Sequence, residues 1–145
     1  MLTLFKLEKI LVPLDGSDNS FRALDAAVFL AKTSGASITA LYCVSIFPSI
    51  EVQTVDPIKC QVEERKFAES VLKKAESICK ENNVKFYKIT AYGSPGYMIV
   101  KGIRTNRVNL VVIGSRGRST VKEIFLGSVS NYVLHKSPTP VLIVK

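Results

Sequence analysis

Short, dense apolar runs alternate along this chain with longer stretches in which apolar residues return every three or four positions. The runs Ile10 to Leu14, Ser37 to Val44, Leu110 to Ile113 and Val141 to Val144 are rich in Ile, Leu and Val and lack a polar face. Ile10 to Leu14 has the pattern of a strand covered on both faces, whereas Val141 to Val144, short and next to the C-terminus, suits a sheet edge. Val84 to Tyr92 differs, because Val84, Phe86, Tyr87 and Ile89 are interleaved with polar residues, and this strand is expected at a sheet edge.

The intervening stretches carry helical signals. Ser17 is a capping residue, after which Phe21, Leu24, Val28 and Ala31 share one face up to Gly35. From Cys60 to Asn82, the residues Ala68, Val71, Leu72, Ala75 and Ile78 line one face with Glu and Lys opposite. Ser94-Pro95 opens a shorter helix through Met98, Ile99 and Ile103. A last helix, Ser128 to Lys136, carries Val129, Tyr132 and Val133 and is stopped by Ser137-Pro138-Thr139-Pro140. Ser45 to Pro57 holds two prolines and no helical period, so it reads as a surface excursion, a lid or a contact loop. Strand alternating with helix predicts an α/β fold on a parallel sheet, and residues 1–145 suffice for one domain with its own core.

Composition narrows the function classes. Cys43, Cys60 and Cys79 are an odd count, too widely spaced for a C-x-x-C redox or zinc motif, and reduced thiols in a cytoplasmic protein are the plain reading. Cys43, inside the second strand, is expected to be a buried thiol with no cation to activate it. The uncharged stretch Thr33 to Ile50 contains Gly35, Pro48 and many hydroxyl residues, too few apolar side chains for a membrane span. Met1 to Lys6 has no basic head or cleavage site of a secretory leader. The net charge of +8 is scattered over every segment rather than gathered into an arm or stripe, which argues for a basic surface and against nucleic acid as a partner. His135 is the only histidine, so a histidine triad or multi-histidine metal site has no material; beside Lys136 it suits the C-terminal end of its helix.

Chemistry concentrates where the fourth strand ends. Gly114-Ser115-Arg116-Gly117, nine residues, then Gly127-Ser128 leave the strongest apolar strand and re-enter a helix. Glycines there let the backbone approach an anion and permit positive φ where the loop reverses, and their N–H groups are expected to face the anion. Ser128 and Ser130 begin the last helix, whose positive end adds amides and hydroxyls. Arg116, Arg118 and Lys122 supply positive charge. In open parallel sheets ligands gather at strand carboxyl ends, which adds Asp15 and Val44 as candidates. A plainer reading stands beside each: Asp15 capping the first helix together with Ser17, and Gly127-Ser128 serving as a turn and N-cap.

Taken together, Pro13-x-Asp15, the Val44 position, Gly93-x-Pro95, the G-x-x-G-x9-G-S signature from Gly114 to Ser128 and the Pro140-to-Val144 tail resemble the universal stress protein family nearly end to end. The resemblance implies a doubly wound, Rossmann-like parallel five-stranded sheet of order 3-2-1-4-5, of the adenine nucleotide alpha hydrolase type. Within that family the glycine signature marks the branch that binds ATP. Carried over by position, Asp15 would contact ribose or adenine, Val44 would hold the adenine edge through its backbone, and Gly114, Gly117, Gly127, Ser128, Val129 and Ser130 would surround the phosphates. Pro13, Leu14, Ile113 and Arg116 complete the expected set of nucleotide contacts. Mg or Mn could accompany the phosphates, although Asp15, Ser128 and water would hold it only loosely. The family also implies homodimers paired through Val141 to Val144.

Three functions follow from different classes. The first is a nucleotide-occupied regulatory module of the stress response, acting through a dimer and partner contacts. The second is a slow ATPase or phosphotransferase with Asp15 orienting water and Arg116 stabilising charge, disfavoured by the missing Walker Lys-Ser/Thr pattern and the lack of an evident base. The third is a ligand-free dimeric scaffold. A receiver domain is excluded because the third strand ends in Tyr92-Gly93 rather than a phospho-accepting Asp. An ATP pyrophosphatase loop is excluded because Asp15-Gly16-Ser17-Asp18 lacks paired glycines.

Overall fold

The computed structural model describes residues 4–46, 56–118 and 125–145. Lys122 and most of the Ser45–Pro57 excursion lie outside the described residues. The element order is β1 (Lys9–Leu14), α1 (Asp18–Ser34), β2 (Ser37–Val44), α2 (Pro57–Glu81), β3 (Phe86–Tyr92), α3 (Pro95–Thr105), β4 (Leu110–Gly114), α4 (Ser128–Lys136) and β5 (Val141–Val144). All four strand pairings are parallel and the order is β3-β2-β1-β4-β5, as the family resemblance implies.

The strict alternation of side chains along a strand divides the core in two. Ile10, Val12 and Leu14 of β1 join Ile38, Ala40, Tyr42 and Val44 of β2 beneath the apolar faces of α1 and α2. Leu11 of β1 and Leu41 of β2 point the other way, to Ile99 and Ile103 of α3 and Val133 of α4. Helices therefore cover both faces, and every β1 residue from Ile10 to Leu14 is buried, which explains why the strands read as continuous apolar runs.

Two boundaries differ by more than one residue from the sequence reading. α2 begins at Pro57, with the Asp56 carboxylate accepting Ile58 N–H at 3.0 Å as its N-cap. Its first turns escape a periodicity search because Ile58 and Val62 are exposed and bury no stripe. β3 begins at Phe86, since the Val84 N–H is donated to the Cys79 carbonyl in the turn that ends α2. As expected, β3 is an edge strand.

The β1–β4 ladder is short. β1 stays in register with β2 from Lys9↔Ser37 to Leu14↔Tyr42, but with β4 only at Ile10↔Leu110 and Leu11↔Val111. Pro13 has no N–H to donate to either neighbour. The central strands thus part at their carboxyl ends, where the chain's crossovers change direction, and a crevice opens.

Candidate functional site

A cavity of about 200 Å³ occupies that crevice. Its wall includes Pro13, Leu14 and Asp15 from the end of β1, Ile113, Gly114, Arg116 and Gly117 from β4 and the loop after it, and Gly127, Ser128, Val129 and Ser130 from the start of α4. Eleven of the twelve residues singled out from the sequence therefore share one cavity. The twelfth, Val44, has its side chain in the core and its carbonyl on the Gly93 N–H at 3.0 Å. Its chain neighbours Cys43 and Ser45 are the ones on the wall.

Asp15 is fully engaged. One carboxylate oxygen accepts both the N–H and the hydroxyl of Ser17, and the other accepts the Arg118 N–H at 3.1 Å. Ser17 in turn caps α1 by accepting Ser20 N–H at 3.1 Å. The capping reading of Asp15 is therefore half of its role: it orients the cap and also ties the loop after β4 to the loop after β1.

The glycine loop works differently from the sequence expectation. Gly114, Gly117 and Gly127 do not adopt left-handed φ; among the described residues the glycines that do are Gly16, Gly35 and Gly93. Gly114 and Gly117 are required for closeness instead. A Cβ at Gly114 would press into Asn19 at the start of α1, and a Cβ at Gly117 would stand 2.7 Å from an Asp15 carboxylate oxygen. Nor do all the loop amides face the cavity. The Gly127 N–H is donated to the Ser115 carbonyl at 2.7 Å, the Arg116 N–H to the Asn19 side-chain oxygen at 3.1 Å, and the Arg118 N–H to Asp15. The Ser130 hydroxyl is likewise donated to the Ser115 and Gly127 carbonyls.

What remains for an anion is the first turn of α4. Gly127 is its N-cap and brings no side-chain acceptor, so the N–H groups of Ser128, Val129 and Ser130 are left uncapped on the cavity wall. A helix start with positive dipole and unclaimed donors is where a phosphate is best received. The wall also has an apolar part, formed by Leu41, Pro95 and Ile99, which suits a flat ring. Among the described residues no group of three His, Cys, Asp or Glu side chains could hold a metal. An accompanying Mg or Mn would therefore depend on phosphate oxygens and water.

Two residues that shape the site, Tyr42 on the wall and Asn19 behind it, carried little sequence signal. Asn19 supports Arg116 from inside a helical turn, and Tyr42 looks like any aromatic of a buried strand. Tyr42 is 1% exposed, yet its hydroxyl donates to Glu64 at 2.7 Å and accepts from the Arg118 guanidinium at 3.1 Å. Burial and the Glu64 hydrogen bond hold its phenol protonated far above neutral pH. Cys43, expected to be buried, is half-buried and lines the cavity; burial pushes its thiol up to about 11. The fully buried thiol is Cys79, raised to about 11 by the same cause. His135 and Lys136 sit in the last turn of α4, as expected.

The chain is similar to known proteins in sequence as well as in architecture. The universal stress protein family profile matches residues 6–145. Universal stress protein YxiE of Bacillus subtilis is 37% identical over 147 positions, covering 94% of this chain and 98% of that protein. Universal stress protein UspA from Lactobacillus plantarum superposes with a TM-score of 0.87 over 98% of this chain and all of its own, at 24% identity, and shows the fold. A universal stress protein solved in complex with cAMP superposes with a TM-score of 0.74 at 26% identity, over 95% of this chain and 97% of its own. With the sheet order and the crevice that the family resemblance implies, and a profile match over nearly its whole length, this chain belongs to the universal stress protein family.

Proposed function

We propose that this chain is a regulatory module that binds ATP in the β1/β4 crevice, with the polyphosphate on the first turn of α4 and the adenine against Leu41, Pro95 and Ile99. The observation that carries the reading is the uncapped start of α4 on the wall of the cavity at the topological switch point. The related protein that was solved with cAMP supports an adenine nucleotide as the ligand class. Asp15, Gly114, Gly117, Gly127, Ser128, Val129 and Ser130 are the proposed contacts, with Arg116 adding charge and the Val44 backbone at the adenine edge. The module is proposed to act as one domain in the cytoplasm, as a homodimer paired through Val141–Val144, presenting a nucleotide-dependent surface to a protein partner.

Binding is favoured over turnover by the state of Asp15. Both of its oxygens already accept protein donors, so it is held as a structural acceptor rather than poised to activate water. Titration calorimetry with ATP, ADP and AMP, paired with a phosphate-release assay on the parent and on Asp15→Ala, tests this. The expected result is measurable heat with ATP and no phosphate release that depends on Asp15. Turnover abolished by Asp15→Ala would replace the module with an enzyme.

A further inference from the structure

Four contacts from three separate elements converge on Arg118. Its backbone N–H is held by Asp15 at 3.1 Å. Its guanidinium donates to the Tyr42 hydroxyl at 3.1 Å and to the Glu64 carboxylate at 3.0 Å. It also lies 4.9 Å from the centre of the Phe67 ring. Glu64 and Phe67 are three residues apart on α2 and so share one face of that helix, offering one guanidinium a carboxylate and a ring at once. Tyr42 meets Phe67 edge-on at 6.2 Å. Gly16 lets the loop after β1 press on the other partner, since a Cβ there would stand 2.6 Å from the Phe67 ring.

We propose that Arg118 is a positioning residue, the bolt of a latch in which Glu64, Phe67 and Tyr42 pin the first residues after β4, Ser115 to Arg118, against α2 and thereby slow the escape of a nucleotide from the crevice. The retained ligand rests on the functional reading above; the pinning of the segment does not.

The chemistry is specific to arginine. Only a planar guanidinium can stack on a ring while its edge serves a carboxylate and a phenol, and a lysine ammonium would keep the charge but lose that arrangement. The Arg118–Glu64 pair is 47% and 32% exposed, so its share of global stability is small. Its effect is local. Arg118 itself lines the crevice, and its release frees the wall next to Asp15.

Glu64 and Phe67 are outside the cavity wall, so changing them probes the latch without touching a ligand. Amide hydrogen exchange on the nucleotide-free protein is the first readout. Glu64→Ala and Phe67→Leu are expected to speed exchange of the Arg118 amide about three- to tenfold while the melting temperature stays near that of the parent, with Glu64→Gln closer to the parent. Unchanged exchange in Glu64→Ala overturns the latch. The second readout is the dissociation rate of a fluorescent ATP analogue, expected to rise by a similar factor in Glu64→Ala and to rise no further when Arg118→Ala is added. Additive effects of the two changes overturn the coupling. If the parent fails to bind the analogue, the functional reading and the retention role fall together, and the exchange result shows separately whether the segment is pinned.

Discussion

Gly114 and Asn19 fit together only because residue 114 has no side chain: a Cβ there would come within 3.1 Å of the Asn19 backbone carbonyl carbon and closer still to its side-chain oxygen. That oxygen is the acceptor for the Arg116 N–H. The start of α1 therefore packs directly on the end of β4, and the first glycine of the signature is a packing requirement that sets the width of the crevice.

Gly114→Ala should accordingly cost stability, about 1–3 kcal/mol as for other overpacked sites, because the obstructing atoms include backbone that cannot swing aside. Among the described residues Gly117→Ala meets only the Asp15 carboxylate, the end of a side chain, and should cost less stability while weakening ATP binding by displacing Asp15. Denaturant unfolding of both variants checks the order. Equal losses would show that the two glycines have the same role.

At Gly127 stability and binding should separate. Its φ of −69° and ψ of 162° are open to any residue, and it is the N-cap of α4 without a capping side chain. Gly127→Asp supplies a capping carboxylate and a negative charge beside the helix dipole, and should hold or raise stability by a few tenths of a kcal/mol. The same carboxylate would occupy the amides proposed for phosphate, so ATP affinity should fall at least about tenfold, or 1.4 kcal/mol. Calorimetry of both quantities decides; undiminished affinity in a folded variant would remove the α4 start from the site.

The strands and helices were legible because each depends on local chemistry: Ser17 caps α1, and Ile10 to Leu14 are buried on both faces. The order of the strands was not legible from periodicity and came from the resemblance, since a run of apolar residues does not record its neighbours. The candidate site was legible as a set of positions and not as a set of donors. Gly127 was expected to offer its N–H to a ligand, but that N–H is spent on Ser115, a pairing between residues on either side of the loop that no local pattern records. Tyr42, Asn19 and Glu64 matter through contacts reaching 22 to 97 residues along the chain, which no local pattern marks.

The thiols should react in a graded way. Cys60 is exposed, whereas Cys43 and Cys79 are raised to about 11 by burial. At pH 8 only about one in a thousand of the latter is thiolate. Iodoacetamide at pH 8 should label Cys60 first, and raising the pH toward 11 should bring in Cys43, which lines the cavity, before Cys79, which is fully enclosed. Peptide mass spectrometry gives the order, and early labelling of Cys79 would contradict the packing of α2 on the sheet.

The β5 edge carries the dimer proposal. Leu142 is 40% exposed on a strand whose outer side has no partner strand among the described residues. Leu142→Glu should turn a dimeric parent into a folded monomer in light scattering. A parent that is already monomeric at tens of micromolar would overturn pairing through this edge.

The central claim is that the first turn of α4 receives the phosphates of an adenine nucleotide. Titrating the isotope-labelled protein with ATP and magnesium, and following backbone amide resonances, tests it most directly. The account expects the largest shifts at Ser128, Val129 and Ser130, saturating together with those of Asp15. Amides of that turn that stay fixed at millimolar ATP, or shifts confined to another face of the sheet, would contradict it.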